Sequence, residues 1–333
     1  MKTIFDKIQE SQGDAPGQKQ DESEKQKTIS PELAKKIRSE LQQFALKSNL
    51  YGIYEVSSDY LILLSSALLI QWTLVTALPR AVQTFMIALS MVVSAAALKG
   101  LNNLIHQACH YTLYATKSWN DNLQFLTGYL IFRDLESYRL FHSLHHKYLN
   151  TELDPENAYR TRWLLGHFKT RFWTIVLIRP LFLYYTYDFI KYSVIPFWTN
   201  GIRIYEKLTF WLLLILCIHL TDTWLLFSLV YVVPVFVIYP LITAFVEASE
   251  HIGLSGMATD LHGGRNRHYG WIANFVFHRH NEGNHGLHHW VAHIPDRHLN
   301  AAFEFLKKNY PNIYMIESHS LAETLGQMFD AEK

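Results

Sequence analysis

Residues 60–98 read YLILLSSALLIQWTLVTALPRAVQTFMIALSMVVSAAAL, 39 residues with one charge, Arg80, directly after Pro79 at the midpoint. Residues 208–246 read LTFWLLLILCIHLTDTWLLFSLVYVVPVFVIYPLITAFV, again 39 residues with one charge, Asp222. A helix rises about 1.5 Å per residue and the hydrocarbon core of a bilayer is about 30 Å thick, so each tract is long enough to cross twice with a turn between. The tracts predict an all-α membrane protein with four transmembrane helices in two hairpins, at about 60–79, 81–99, 208–221 and 223–246. Pro234 and Pro240 would kink the last of them, which a lipid-embedded helix tolerates.

The basic residues orient these hairpins. Lys and Arg number nine in 1–59, one between the first two spans, 13 in 99–207, none between the last two spans and seven after 246. All but Arg80 fall on one side, which places the central loop and both termini in the cytoplasm. Residues 1–30 are polar, predicting a disordered tail and no cleavable signal peptide. Ser30 as N-cap and Pro31 at the first helical position predict an amphipathic cytoplasmic helix within 31–59. It would lie on the membrane surface or pack on the cytoplasmic domain. Residues 60–300 would form the membrane domain, and 301–333 a C-terminal cytoplasmic helical segment. The apolar stretch 172–187 is interrupted by Arg179 and Pro180, and reads as interfacial or re-entrant. A fifth crossing there would put the C-terminus on the wrong side for the charge distribution.

A net charge of +1 excludes a nucleic-acid partner, since there is no basic excess to neutralise phosphates. Two cysteines, Cys109 and Cys217, exclude a disulfide scaffold and a cysteine-rich metal site. Histidine is the abundant ligand type: 18 residues, five of them within 106–146 and ten within 251–298. Four pieces have ligand spacing: His106-x3-His110, His142-x2-His145-His146, Glu247-Ala-Ser-Glu-His251 and His285-x2-His288-His289. Positions i, i+3 and i+4 share a helix face, so each group could aim its imidazoles at one point. Beside the expected spans, all nine histidines fall on the cytoplasmic side, near the membrane surface. Nine imidazoles exceed one ion's needs, and four to six ligands per ion imply two ions. A structural zinc is satisfied by four ligands; a nitrogen-rich dimetal site with room for oxygen points to iron.

With these motifs the sequence resembles the integral-membrane fatty acid desaturase/hydroxylase superfamily. The resemblance covers about 60–300 and rests on HQACH at 106–110, SYRLFHSLHHKYLNTELDPE at 137–156, Glu250-His251 and HNEGNHGLHHWVAHIP at 280–295. It implies a four-span stem with a cytoplasmic His-rich helical cap. It implies two iron ions held by His106, His110, His142, His145, His146, His251, His285, His288 and His289. It implies O2 as co-substrate, a fatty acyl lipid as substrate and a separate electron donor of the ferredoxin or cytochrome b5 type, since no His-Pro-Gly-Gly haem motif is fused. The three-residue gap in HQACH is similar to acyl-lipid desaturases. The segment Trp290-Val-Ala-His-Ile-Pro295 departs from the Leu-Phe-Pro often found after the last box.

The expected activity is introduction of a double bond into an acyl chain lying in a long apolar tunnel. A hydroxylase, a carotenoid ketolase-type oxygenase or an oxidative fatty acid decarboxylase would share the first hydrogen abstraction. A non-enzymatic metal-binding membrane protein or transporter would instead want ionisable ligands within the spans. Glu247, one turn before His251, could bind iron, orient a ligand or simply reach water. Asn281 could hydrogen-bond the site, and Asp134, Glu136 and Asp154 are candidates for contacts around the second box. His278, His280, His293 and His298 read as polar residues outside the ligand set, and Cys109 as a small packing residue. Arg160, Arg162, Lys169 and Arg171 could dock an acidic donor, or could be there only because the loop is cytoplasmic.

Overall fold

The computed structural model describes residues 29–156, 174–254 and 262–330. The expected tail up to residue 28, His167 and the basic residues Arg160, Arg162, Lys169 and Arg171 lie outside the described residues.

Among the described residues the fold is helical, apart from a two-stranded parallel pair joining Asn266–Arg267 to Glu317–Ser318. Helix α1 (Pro31–Leu41) starts where Ser30 Oγ accepts the Leu33 N–H at 3.2 Å. Its buried face, Ile37 and Leu41, packs against Leu287, Trp290 and Phe303.

Helix α2 (Asn49–Val75) begins well before residue 60, where the apolar tract opens. The reason is tertiary. Its first turns carry Glu55 and Asp59, both buried, and the far end of the chain neutralises them. Arg279 Nη2 lies 2.6 Å from Asp59 Oδ1, and His280 Nε2 2.8 Å from Asp59 Oδ2. A break at Thr76–Pro79 leads into α3 (Arg80–Cys109), which continues past the expected end at 99. Lys99 is buried there because Glu282 takes its ammonium at 2.6 Å. The small residues Ser90, Ser94, Ala95, Ala96 and Ala97 let α2 pack closely on α3. Gly100 leaves no room for a Cβ beside the Asp59 carboxylate.

Helix α4 (Leu135–Tyr148) is capped by Asp134, whose Oδ1 accepts the Ser137 N–H at 2.9 Å. Short helical pieces follow from Thr174, and Leu183 at φ 53° interrupts them. Helix α5 (Ile204–Leu220) leads to α6 (Trp224–His251). Within α6, Ser228–Val232 and Pro234–Ile238 are π-helical, a wider turn that accommodates the missing N–H groups of Pro234 and Pro240. Helices α7 (His285–Trp290), α8 (Asp296–Asn309) and α9 (Leu321–Asp330) follow towards the C-terminal end.

By length and composition, α2, α3 and α6 can cross a membrane. The expected span at 208–221 corresponds to α5, whose 17 residues reach about 25 Å. The outer faces are apolar and exposed, with Leu61, Leu64, Leu68 and Trp72 on α2 and Leu212 and Leu213 on α5. An apolar belt of this extent is what lipid-facing surface requires, and with the three long helices it marks a membrane protein. Inside, aromatic rings fill the stem: Phe132 stacks on Trp211 at 5.0 Å and touches Phe197 and Phe236 edge-on or tilted.

Candidate metal centre

The helices bring the nine histidines together at one end of the stem, in two clusters. His106, His110, His142, His146 and His288 form the first, and His145, His251, His285 and His289 the second. Within each cluster the ligand atoms, one per residue, all lie within 4.8 Å of one another.

The two HxxHH motifs do not each aim at one point, as their spacing alone suggests. At about 100° per residue, i+4 projects about 40° beyond i, whereas i+3 falls about 60° short of it. An i, i+4 pair therefore converges while i+3 diverges. Helix α4 gives His142 and His146 to the first cluster and His145 to the second. Helix α7 gives His285 and His289 to the second and His288 to the first. Each motif thus lends its middle histidine to the other's cluster. Helix α3 adds His106 and, at its C-cap, His110; α6 ends on His251.

Nitrogen separations test whether a metal fits. Nε2 of His142 lies 2.9 Å from Nε2 of both His106 and His146. In the second cluster His285 Nε2 lies 2.9 Å from His251 and 3.0 Å from His289, and His289 lies 3.2 Å from His145. Two nitrogens each about 2.1 Å from an ion and at right angles to one another are about 3.0 Å apart; at the tetrahedral angle they are about 3.4 Å apart. The nitrogens are thus close enough within each cluster to share one ion. Burial keeps the rings neutral, with their lone pairs available. It pushes His110 down to about 4, aided by Arg139, and His146 to about 2, aided by His110 and His145. His142, His285, His288 and His289 lie well below the ordinary value for the same first cause.

Outer groups hold several rings in place. His145 Nδ1–H donates to Asp154 Oδ1 at 3.0 Å, and His251 Nδ1–H to the Gly263 carbonyl at 2.7 Å. Glu250 Oε1 sits 3.5 Å from His285 Nδ1 and accepts from Arg267 Nη2 at 2.9 Å. Such contacts fix tautomer and orientation. Asp296 is farther from its histidine, 3.8 Å from His288 Nδ1, and among the described residues neither His288 nitrogen has a hydrogen-bond partner. The Tyr138 ring stacks on His142 at 5.4 Å.

The remaining candidates sort differently. Glu247 belongs to neither cluster; it is exposed on the wall of a cavity of about 220 Å³ that His106, His142 and His285 also line. Asn281, at φ 64°, turns its Oδ1 to Asn300 Nδ2 at 3.0 Å and makes no hydrogen bond to a histidine among the described residues. Asp134 caps α4 and pairs with Lys207 at 3.3 Å, and Glu136 pairs with Arg203 at 2.6 Å, so both hold helices rather than rings. His278, His280, His293 and His298 lie outside the clusters, as does the buried Cys109. Spacing does not reveal the contacts of Glu250, nor Asp296, Arg267 and the Lys99–Glu282 pair. The signal available for them was a charge in or beside an apolar or ligand-bearing helix, which must find a partner.

A helical protein with an apolar belt and two largely buried histidine clusters has the makings of a membrane metal site. The chain belongs to the fatty acid desaturase family, whose sequence profile matches residues 83–320. Among characterised relatives, it is 23% identical over 288 residues to dihydrorhizobitoxine desaturase of Bradyrhizobium elkanii, covering 79% of this chain and 77% of that protein. Family and relative together identify a desaturase-type oxidase.

Proposed function

We propose that the chain is a membrane di-iron, O2-dependent desaturase that introduces a double bond into a fatty acyl chain. The carrying observation is the pair of adjacent clusters, five and four imidazoles, beside one cavity. A cluster of five imidazoles exceeds the four that satisfy a tetrahedral zinc, which favours iron. Bound iron would supply oxidation of an unactivated C–H bond: two hydrogens leave neighbouring carbons, and O2 becomes water with two further electrons and two protons from a separate ferredoxin- or cytochrome b5-type donor. The chain's own residues do the rest. The nine histidines hold the metals, and Asp154, Gly263 and Glu250 orient His145, His251 and His285. The Tyr138 and Phe141 rings exclude water and position the reacting carbons. For topology, α5 is the fourth crossing, both termini are cytoplasmic, and the histidine end forms the cytoplasmic cap; the distribution of basic residues supports this.

Hydroxylation, ketone formation and decarboxylation share the first hydrogen abstraction, but the named relative is a desaturase, which favours desaturation. That relative's name gives dihydrorhizobitoxine as its substrate. The test combines metal analysis of anaerobically purified protein with labelled O2 in cells expressing it. About two irons per chain and a product two hydrogens lighter without label are expected. One zinc per chain, label in a new hydroxyl or keto group, or a terminal alkene one carbon shorter would overturn the reading.

A further inference from the structure

The second cluster is tied to the C-terminal end of the chain, and the tie begins where α6 stops. A helix C-terminus leaves carbonyls without N–H partners, and burial makes each of them costly. The last turn of α6 is buried and carries His251. Two buried guanidinium groups close over it. Arg265 Nη1 donates to the Ser249 carbonyl and Nη2 to that of Ile252 at 3.0 Å. Arg267 Nη1 donates to the Val246 carbonyl at 3.0 Å. The Arg265 backbone N–H donates to the Glu250 carbonyl at 2.9 Å.

The segment that carries these arginines also touches α7, the other contributor to the cluster. The Gly263 carbonyl accepts from His251, and Asn266 Oδ1 accepts the Leu287 N–H at 3.0 Å. A Cβ on Gly264 would come within 3.0 Å of Gly286 Cα and 3.3 Å of His285 Cδ2. Residues 263–267 therefore bridge the helix ends that present His251 and His285. These contacts involve none of His106, His110, His142 and His146, and of the first cluster only His288 shares α7.

What seats the bridge comes from the end of the chain. Asn266–Arg267 pair with Glu317–Ser318. Gln327 of α9 accepts from Arg265 Nε through Oε1 at 2.7 Å and donates from Nε2 to the Glu317 carbonyl at 2.8 Å. Met328 and Phe329 of α9 share an apolar cluster with Ala244, Ala248 and Ile252 at the end of α6. Gly253, at φ 84°, leaves α6 beneath α9, where a Cβ would lie 2.6 Å from the Gln327 carbonyl.

We propose that Gln327 is a positioning residue for the second metal: it orients Arg265, Arg265 holds the end of α6, and that end sets where His251 points. Helix α9 is thereby a clamp on one metal and not on the other. This rests on the two-iron desaturase reading and deepens it.

The test uses full-length protein in nanodiscs, loaded with isotopically enriched iron, and follows the two irons separately by Mössbauer spectroscopy and by release to a chelator. Gln327→Leu leaves the Arg265 Nε–H buried without its acceptor. One iron should then leave about tenfold faster, with its spectroscopic signal altered, while the other iron keeps its signal and its rate. Gln327→Glu, which keeps an acceptor for Arg265, should bring release back to within about threefold of the unaltered protein. Coupling is reciprocal, so loading the second iron should slow amide exchange in 321–330 of the unaltered protein by about tenfold as well. That measurement stands alone if Gln327→Leu fails to accumulate. Equal loss of both irons, unchanged release of both, Gln327→Glu no better than Gln327→Leu, or exchange in 321–330 indifferent to iron overturns the proposal. Unaltered protein that holds no pair of irons would instead count against the desaturase reading itself.

Discussion

The two histidine clusters solve one problem in different ways. The first is rich in donors and sparsely braced: five imidazoles, with Asp296 3.8 Å from His288 and, among the described residues, no partner on either His288 nitrogen. The second has four imidazoles, and hydrogen bonds hold two of them, Asp154 for His145 and Gly263 for His251, with Glu250 3.5 Å from His285. Bracing compensates for ligand number. A six-coordinate ion would keep one position open in the first cluster and two in the second, so the second has more room for oxygen and less tolerance for loss.

That asymmetry can be broken directly. His251→Ala leaves the second cluster three ligands; turnover should fall below detection and iron should drop from about two per chain to about one. Retained turnover would remove His251 from the metal site. His110→Ala leaves the first cluster four ligands, so iron stays near two per chain, and turnover should exceed that of His251→Ala at least tenfold. Indistinguishable variants would mean the clusters are equivalent after all.

Bracing can be tested next. Asp154→Asn should weaken metal retention about 10–100-fold, read by chelator competition, whereas Asp296→Asn, lacking a made bond, should change it only a few-fold. A larger effect at Asp296 reverses the assignment of which cluster is braced. The smallest effect concerns the contact between α2 and the turn before α7. Burial alone would lower the His280 pKa; the Asp59 and Glu55 carboxylates outweigh it and hold it up at about 9. Arg279, Asp296 and Arg297 are the other charged groups packed around this contact. Because the folded value is raised, this stabilisation is complete below about 6.5 and is lost as pH rises through about 9. Melting temperature should fall over that window in the native protein and less so in His280→Gln, with iron content equal in both. Parallel melting curves across pH would show that the ion pair contributes nothing to folding.

Much of this was legible in the residues and some was not. The nine histidines stood out because ligand spacing repeats beside long apolar tracts. Their division into five and four did not, because it depends on α4 and α7 facing one another, a tertiary fact. Helix ends were misjudged for one recurring reason. Glu55, Asp59 and Lys99 look like span boundaries until Arg279, His280 and Glu282, about 180 to 220 residues later, remove their cost. Hydropathy cannot see a partner that far away. Asn281 looked promising four residues before His285, but its left-handed backbone turns it toward α8. Glu250 stands out in the residues only as part of the Glu250-His251 match, since a pattern of two nearby carboxylates does not say which one a distant arginine will claim.

The exchange of middle histidines also sets an order of assembly. His106, His110, His142 and His146 are synthesised 142 residues or more before His288, a delay of about 7–30 s at ordinary translation rates. The first cluster can be four-fifths complete while the ribosome is still making α5 and α6. The second then has only His145, waiting for a helix that does not yet exist. On the two-metal reading, a nascent chain would assemble most of its first site well before its second, and a chain truncated before α7 would carry four of the first cluster's five histidines but only His145 and His251 of the second's four.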